Sequence, residues 1–207
     1  MTNPHETARP TDSASARPTR VVIAEDEAII RLDLKETLEE EGYEVVGETG
    51  RGDQALSLIR ELRPDIAILD IKMPGADGLS VAKSVTEERL CATLMLTAFS
   101  QRELIEQARD AGALAYLVKP FQKMDLIPAI ELAIGRFAEV KALAAEVTNL
   151  EERLEARKAI ERAKGKLMDE HAMTEHESFT FIQRRAMSSR TSMRAVADEI
   201  VAGTMTP

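Results

Sequence analysis

Apolar residues along this chain follow two alternating rhythms from residue 20 to about 136, and only one thereafter. Short β-branched or aliphatic runs, "RVVIAE" (20–25), "YEVVGET" (43–49), "DIAILD" (65–70), "ATLMLT" (92–97) and "LAYLVK" (114–119), read as strands. Between them, apolar positions three and four apart predict helices at 28–41, 53–62, 79–88 and 101–112, with a fifth beginning near Asp125. Strands alternating with helices of this length form a parallel sheet covered on both faces, because parallel neighbours need a crossover. The unbroken apolar run at 66–69 suits a strand buried on both sides. The expected fold is therefore α/β, a five-stranded doubly wound parallel sheet, followed by a small all-α part.

After Gly135 no strand pattern returns. Val140, Leu143, Val147, Leu150 and Leu154 follow the spacing of a coiled-coil seam, and Arg157 breaks it. A seam of two heptads suits a second copy of the chain or burial against the protein's own later helices. The helical pattern continues through 157–171. Thr174 and Glu177 form a T-x-x-E capping box for a helix to about Ser188, and 191–203 reads as another, with Gly203 as terminator. The organisation read from these changes is an arm at 1–19 rich in Pro, Ser, Thr and Ala, expected to be disordered, then an α/β domain at 20–136. A helical linker at 137–156 and a three-helix domain at 157–207 follow.

Composition narrows the setting. With 44% hydrophobic and 30% charged residues among 207, the chain is expected to be globular, and no apolar run approaches the ~20 residues of a membrane span. The N-terminal arm lacks the apolar middle of a secretory signal. Cys91 is the only cysteine, which excludes an intrachain disulfide and suits a reducing cytoplasm. The formal charge of -9 would repel nucleic acid unless bases gather locally.

In an open parallel sheet, ligands bind beyond the carboxyl ends of the strands. Glu25, Asp26, Asp70, Thr97 and Lys119 all fall at such ends. Three carboxylates brought together repel unless a cation sits among them, and a hard divalent ion with oxygen ligands, Mg2+, is the natural one. A lysine and a hydroxyl complete a site for a phosphoryl group, with Asp70 as the nucleophile that accepts it as an acyl phosphate. Any one of these acids could be only a helix cap. That explanation does not extend to five suitable residues at strand ends.

Residues 20 to about 136 resemble the receiver domain of bacterial response regulators, through "IAEDE", "LDIKMPGADG", "LTAF" and "YLVKPF" in that order. The resemblance implies a flavodoxin-like fold. It also implies an Asp70 phosphorylated by a sensor histidine kinase, with Mg2+ held by Asp26, Asp70 and the backbone carbonyl of Lys72, and Glu25 acting through water. Thr97 and Lys119 would contact the phosphoryl group, and Tyr116 would be the aromatic that swings inward on activation. The Lys119–Pro120 peptide is expected to be cis. A receiver is a phosphoacceptor rather than a turnover catalyst.

Other chemistry finds less support. Gly50 and Gly52 lack the third glycine of a dinucleotide fingerprint and follow the second strand rather than the first, so a loop is the better reading. No P-loop motif occurs. Lys72 stands where an aspartyl-nucleophile phosphatase needs a second aspartate, and His171 and His176 read as solvated residues rather than zinc ligands.

Residues 151–207 carry 10 Lys or Arg and 10 Asp or Glu, so the whole -9 lies upstream. Within them, 157–166 holds five bases against one acid, and 184–194 four bases and no acid. Two basic patches on an acidic molecule suit a face that meets phosphates, although solvated helix faces would give the same count. The order of residues adds to this. "AIERAKGKLMDEHAMTEHESFTFIQRRAMSSRTSMRAVADEIV" (159–201) resembles the ANTAR domain of the AmiR and NasR antitermination regulators. The resemblance implies a three-helix bundle that binds paired hairpins in nascent RNA and suppresses transcription termination. Arg157, Lys158, Arg162, Lys164, Lys166, Arg184, Arg185 and Arg190 are the candidate RNA contacts. Ile160, Ala163, Leu167, Met168, Phe179 and Ile182 are expected in the core. The expectation is thus a receiver joined to an RNA-binding antiterminator, with a possible phosphorylation-dependent homodimer; the alternative is a DNA-binding response regulator, which would need a helix-turn-helix.

Overall fold

The computed structural model describes residues 17–98 and 102–205. Most of the arm read at 1–19 lies outside them. The chain divides into two compact units between Val140 and Lys141.

The first unit alternates β1 (Arg20–Ala24), α1 (Ala28–Glu40), β2 (Glu44–Thr49), α2 (Gly52–Leu62), β3 (Ile66–Asp70), α3 (Gly78–Glu87), β4 (Ala92–Thr97), α4 (Arg102–Asp110) and β5 (Ala115–Val118). It closes with the start of α5 (Lys123–His171). The strands form one parallel sheet in the order β2-β1-β3-β4-β5. This is the doubly wound, flavodoxin-like order, in which the chain reverses direction across the sheet between β1 and β3.

Side-chain alternation along the central strands builds two cores. Val21, Ile23, Ile66, Ile68, Leu94 and Leu96 face Leu34 and Leu38 of α1 and Leu126 and Ile130 of α5. Val22, Ala67, Leu69 and Met95 face Ala55 and Ile59 of α2 and Val81 and Val85 of α3. All five residues of β3 are buried, which is why its run shows no polar alternation. Each fully buried Ile or Leu contributes about 1.5–3 kcal/mol, so β3 and the equally buried β4 carry much of the stability of the unit. Arg17 beyond the sheet edge pairs with Asp65 at 2.7 Å.

The second unit contains the later part of α5, α6 (Glu175–Ser189) and α7 (Met193–Ala202). Ala159, Ala163 and Leu167 of α5 pack with Ile182 and Ala186 of α6 and with Val196, Ala197 and Ile200 of α7. Thr174 and Glu177 form the expected reciprocal capping box. Helix α7 begins two residues later than its apolar pattern suggests, because Ser192 caps it by accepting from the Ala195 N–H at 3.1 Å. It ends at Gly203, with φ 78°. Replacing Thr174 by Ala removes the α6 cap and should cost about 1 kcal/mol, read as faster amide exchange confined to the first turn of α6.

Two residues expected in this core are not in it. Met168 and Phe179 are 42% and 41% exposed. Each follows directly on a buried position, Leu167 and Ser178 respectively, and one residue turns a helix by about 100°, enough to leave the buried stripe. The seam residues Val140, Leu143, Val147, Leu150 and Leu154 are each more than half exposed, so the chain's own later helices do not cover them.

Candidate functional site

The carboxyl edge of the sheet brings the predicted acceptor residues together. Strand β1 ends at Ala24, which delivers Glu25 and Asp26; β3 ends on Asp70, β4 on Thr97, and β5 immediately before Lys119. Backbone hydrogen bonds fix these ends relative to one another. The Lys119 N–H donates to Thr97 O at 2.7 Å, the Ile71 N–H to Leu96 O at 3.1 Å, and the Glu25 N–H to Thr49 O at 3.0 Å. The Lys119–Pro120 peptide is cis.

A cavity of about 280 Å3 opens here, lined by Asp26, Asp70, Lys72, Thr97 and Lys119 among others. Asp70 is buried and held at both oxygens: Oδ2 accepts from the Lys72 N–H at 2.9 Å, and Oδ1 lies 2.7 Å from Lys119 Nζ. Lys119 Nζ also lies 2.6 Å from Glu25 Oε2, an atom buried with no well-directed hydrogen-bond donor. That contact is one of charge more than of aligned hydrogen bonding. Burial pushes the Glu25 carboxyl above its ordinary range; Lys119 pulls it back and the charge of Asp70 pushes it up again. Burial acts to lower Lys119, but its donation to Asp70 and its contact with the Glu25 carboxylate outweigh it, and its ammonium is held above the usual range. One cation thus stands between two buried acids.

Oxygens of Glu25, Asp26 and Asp70 lie within 4.8 Å of one another. A hard divalent cation fits this set: every donor is a carboxylate oxygen, one is buried without a directed partner, and Asp26 is exposed enough to leave room for water. The raised Glu25 carboxyl sets the sign of a test. A folded-state value above the unfolded one stabilises the fold below the unfolded value, and that stabilisation is lost as pH rises through the folded one. Above the folded-state value the ionised Glu25 carboxylate is therefore a cost to the fold. Mg2+ at ten times its dissociation constant should add about 1.4 kcal/mol to the first unit. The gain should shrink as acid protonates Glu25, which differential scanning calorimetry at several pH values would read.

Tyr116 is not drawn into this cavity. It is half exposed on β5 and lines a separate groove of about 370 Å3 with Ile105, Leu132 and Arg136. Reading the sequence also missed several residues that shape the site. Arg31 of α1 donates through Nη1 to the backbone carbonyl of Glu25. The Gly52 N–H donates to Pro74 O at 3.1 Å, so the glycines set aside as a loop brace the segment that follows Asp70. No spacing in the sequence announces either contact.

In the second unit, Arg157, Lys158, Arg162, Arg184, Arg185 and Arg190 are exposed, although Lys158 pairs with Glu155 at 2.8 Å. Lys164 departs from the expectation of an RNA contact. It is 7% exposed and held by Glu161 at 3.0 Å and Glu175 at 2.7 Å, joining α5 to α6 from inside the unit. Lys166 donates to Val201 O at 3.1 Å near the end of α7, where a cation suits the helix dipole.

The fold and the acid-lysine edge define the receiver class, and comparison with known proteins agrees. The model of the response regulator receiver domain matches residues 21–131, and that of the ANTAR domain matches 148–201. The chain belongs to the response regulators that join a receiver to an ANTAR domain. It is 55% identical over 197 residues to the transcriptional regulatory protein PdtaR of Mycobacterium tuberculosis, covering 95% of this chain and 96% of that one. The chemotaxis protein CheY of Thermotoga maritima is 35% identical over 112 residues, 54% of this chain and 93% of its own. Among solved structures, the signal receiver domain of the putative response regulator NarL from Mycobacterium tuberculosis aligns with a TM-score of 0.56 and 31% identity, over 58% of this chain and 98% of that one.

Proposed function

We propose that this chain is a cytoplasmic, phosphorylation-controlled response regulator whose second unit binds hairpin RNA in nascent transcripts and acts as an antiterminator. The observation that carries the first half is the geometry around Asp70, a buried carboxylate oriented by Lys72 N–H and Lys119 Nζ at the mouth of a cavity. A sensor histidine kinase is the donor. An Asp70 oxygen attacks phosphorus, the bond from phosphorus to the kinase imidazole breaks, and the imidazole nitrogen leaves with its electron pair. Asp26, Asp70 and the carbonyl of Lys72 would hold Mg2+, with Glu25 acting through water, and when bound the ion would supply positive charge beside the phosphoryl oxygens. Lys119 and Thr97 receive the same oxygens once the group is in place. The chain serves as acceptor rather than as a catalyst of multiple turnover.

Phosphorylation would bias a two-state surface on the receiver, with Tyr116 turning inward. Helix α5 is the route onward: Leu126 and Ile130 lie in the core of the first unit, and Ala163 and Leu167 in that of the second. The exposed seam from Val140 to Leu154 supports a phosphorylation-dependent homodimer, which sedimentation with and without phosphodonor would test. A monomer in both conditions would remove it.

The RNA half rests on the match of 148–201 to the ANTAR domain and on the exposed Arg157, Arg162, Arg184, Arg185 and Arg190. A DNA-binding regulator is the competing reading. Selection from RNA pools of tandem stem-loops with randomised loops, followed by titration of the selected RNA against duplex DNA at matched salt, separates them. Preference for the hairpin supports antitermination, and preference for the duplex overturns it.

A further inference from the structure

Beyond Phe137 the sequence holds two aromatic residues, Phe179 and Phe181, and the structure treats them differently. Phe181 packs against the three-helix core, whereas Phe179 is exposed. Buried positions Ser178, Ile182 and Ala186 form one stripe of α6. Phe179, Gln183 and Met187 repeat at the same interval on the next stripe, and Arg190 caps the helix three residues beyond Met187. Met187 is exposed as well. An exposed phenyl ring forfeits the stabilisation of burial, so packing within the unit does not account for it.

Beyond Phe179 the charge along this stripe has one sign, and Glu175, one turn before it on the same stripe, is paired with Lys164 at 2.7 Å. From Ser178 through Ala197 the sequence has four arginines and no acid. Of these, Arg194 lies 3.9 Å from Asp198. Among the described residues no carboxylate stands within ion-pair distance of Arg184, Arg185 or Arg190. Two lysines of the same unit are engaged instead: Lys158 with Glu155, and Lys164 with Glu161 and Glu175. An exposed ring on a helix whose arginines lack a carboxylate partner matches one kind of occupant, an unpaired base flanked by phosphates. Unpaired bases present a π-face, which paired ones inside a helix do not.

We infer that the stripe of Phe179, Gln183, Met187 and Arg190 is a platform on which an unpaired loop base of the RNA stacks. Phe179 supplies the ring, and Arg190, three turns on along the same stripe, meets a phosphate of the same loop. This deepens the RNA-binding reading above and rests on it. The complementarity of charge favours RNA over the same patch of a second copy, whose own arginines would face these.

The test uses the full chain and a stem-loop RNA from the selection above, carrying 2-aminopurine at each loop position in turn. Wild type should quench the fluorophore at one loop position. Phe179→Leu should weaken binding about tenfold or more and abolish that quenching, with the salt dependence unchanged, whereas Phe179→Tyr should retain both. Arg190→Ala should instead lower the salt slope by about 1. Unchanged affinity in Phe179→Leu, or equal loss in Phe179→Tyr, would overturn the inference. So would a change in sedimentation of RNA-free Phe179→Leu with quenching intact, which would give the patch to a second copy. Absence of hairpin binding by wild type would overturn the RNA reading itself, and the platform with it.

Discussion

Asp70→Asn should fold as the parent does and take up no phosphoryl group from acetyl phosphate, while the parent gains one. The amide preserves the shape of the carboxylate, and its oxygen still accepts from the Lys72 N–H that holds Asp70 at 2.9 Å. What it lacks is the anionic oxygen that attacks phosphorus. Stability should change little, because two opposed effects nearly cancel. Lys119 loses one of its two partners but keeps Glu25 at 2.6 Å, and Glu25 loses a like-charged neighbour. Intact-mass spectrometry with peptide mapping reads the labelling. Equal labelling of the variant would move the acceptor elsewhere.

The other large effect concerns a glycine in the acceptor loop. A Cβ added at Gly78 would lie 1.9 Å from the backbone oxygen of Asp70, 2.9 Å from its carbonyl carbon and 3.2 Å from Ile71 Cα. These are backbone atoms, so rotating a side chain brings no relief. Gly78 also donates its N–H to Ile71 O at 2.9 Å, and Asp77 just before it caps α3 by accepting from the Ser80 N–H at 2.7 Å. Gly78→Ala must therefore push the first turn of α3 away from the residue that carries the nucleophile. The expected cost is about 3 kcal/mol, with Asp70 labelled more slowly in whatever remains folded. Gly135→Ala is the matched control. A Cβ there has nothing within 4 Å, the position lies inside α5, and the substitution should stabilise by about 1 kcal/mol. Urea denaturation of both variants reads the opposite signs.

Much of the acceptor edge was visible in the chain because it depends on a local quantity, the last residue of each apolar run. Asp70 and Thr97 are the final residues of β3 and β4, and Lys119 follows the last residue of β5. In a parallel sheet all such ends share one edge, so a pattern in one dimension places them together in three. The ion pair from Lys119 to Glu25, the contact of Arg31 with the Glu25 carbonyl and the bracing of Pro74 by Gly52 were not visible. The first and third depend on how closely segments distant in sequence approach, and the second on how a side chain of α1 turns back over the end of β1; no periodicity encodes either. The second unit shows a different limit. Apolar spacing placed Ala163, Leu167 and Ile182 correctly, but Met168 and Phe179 lie one position off a buried stripe, an offset that hydropathy alone does not resolve. Lys164 is the reverse case, a cation that two carboxylates carry inside.

The central claim is that the state of Asp70 changes what the second unit binds. Its most direct test is titration of one labelled stem-loop RNA with the full chain, before and after treatment with acetyl phosphate and Mg2+, with Asp70→Asn carried through both conditions. The account predicts that phosphodonor shifts the affinity of the wild-type chain and leaves the variant where it was. Identical affinities for phosphorylated and unphosphorylated wild type, with labelling at Asp70 verified by mass, would contradict it.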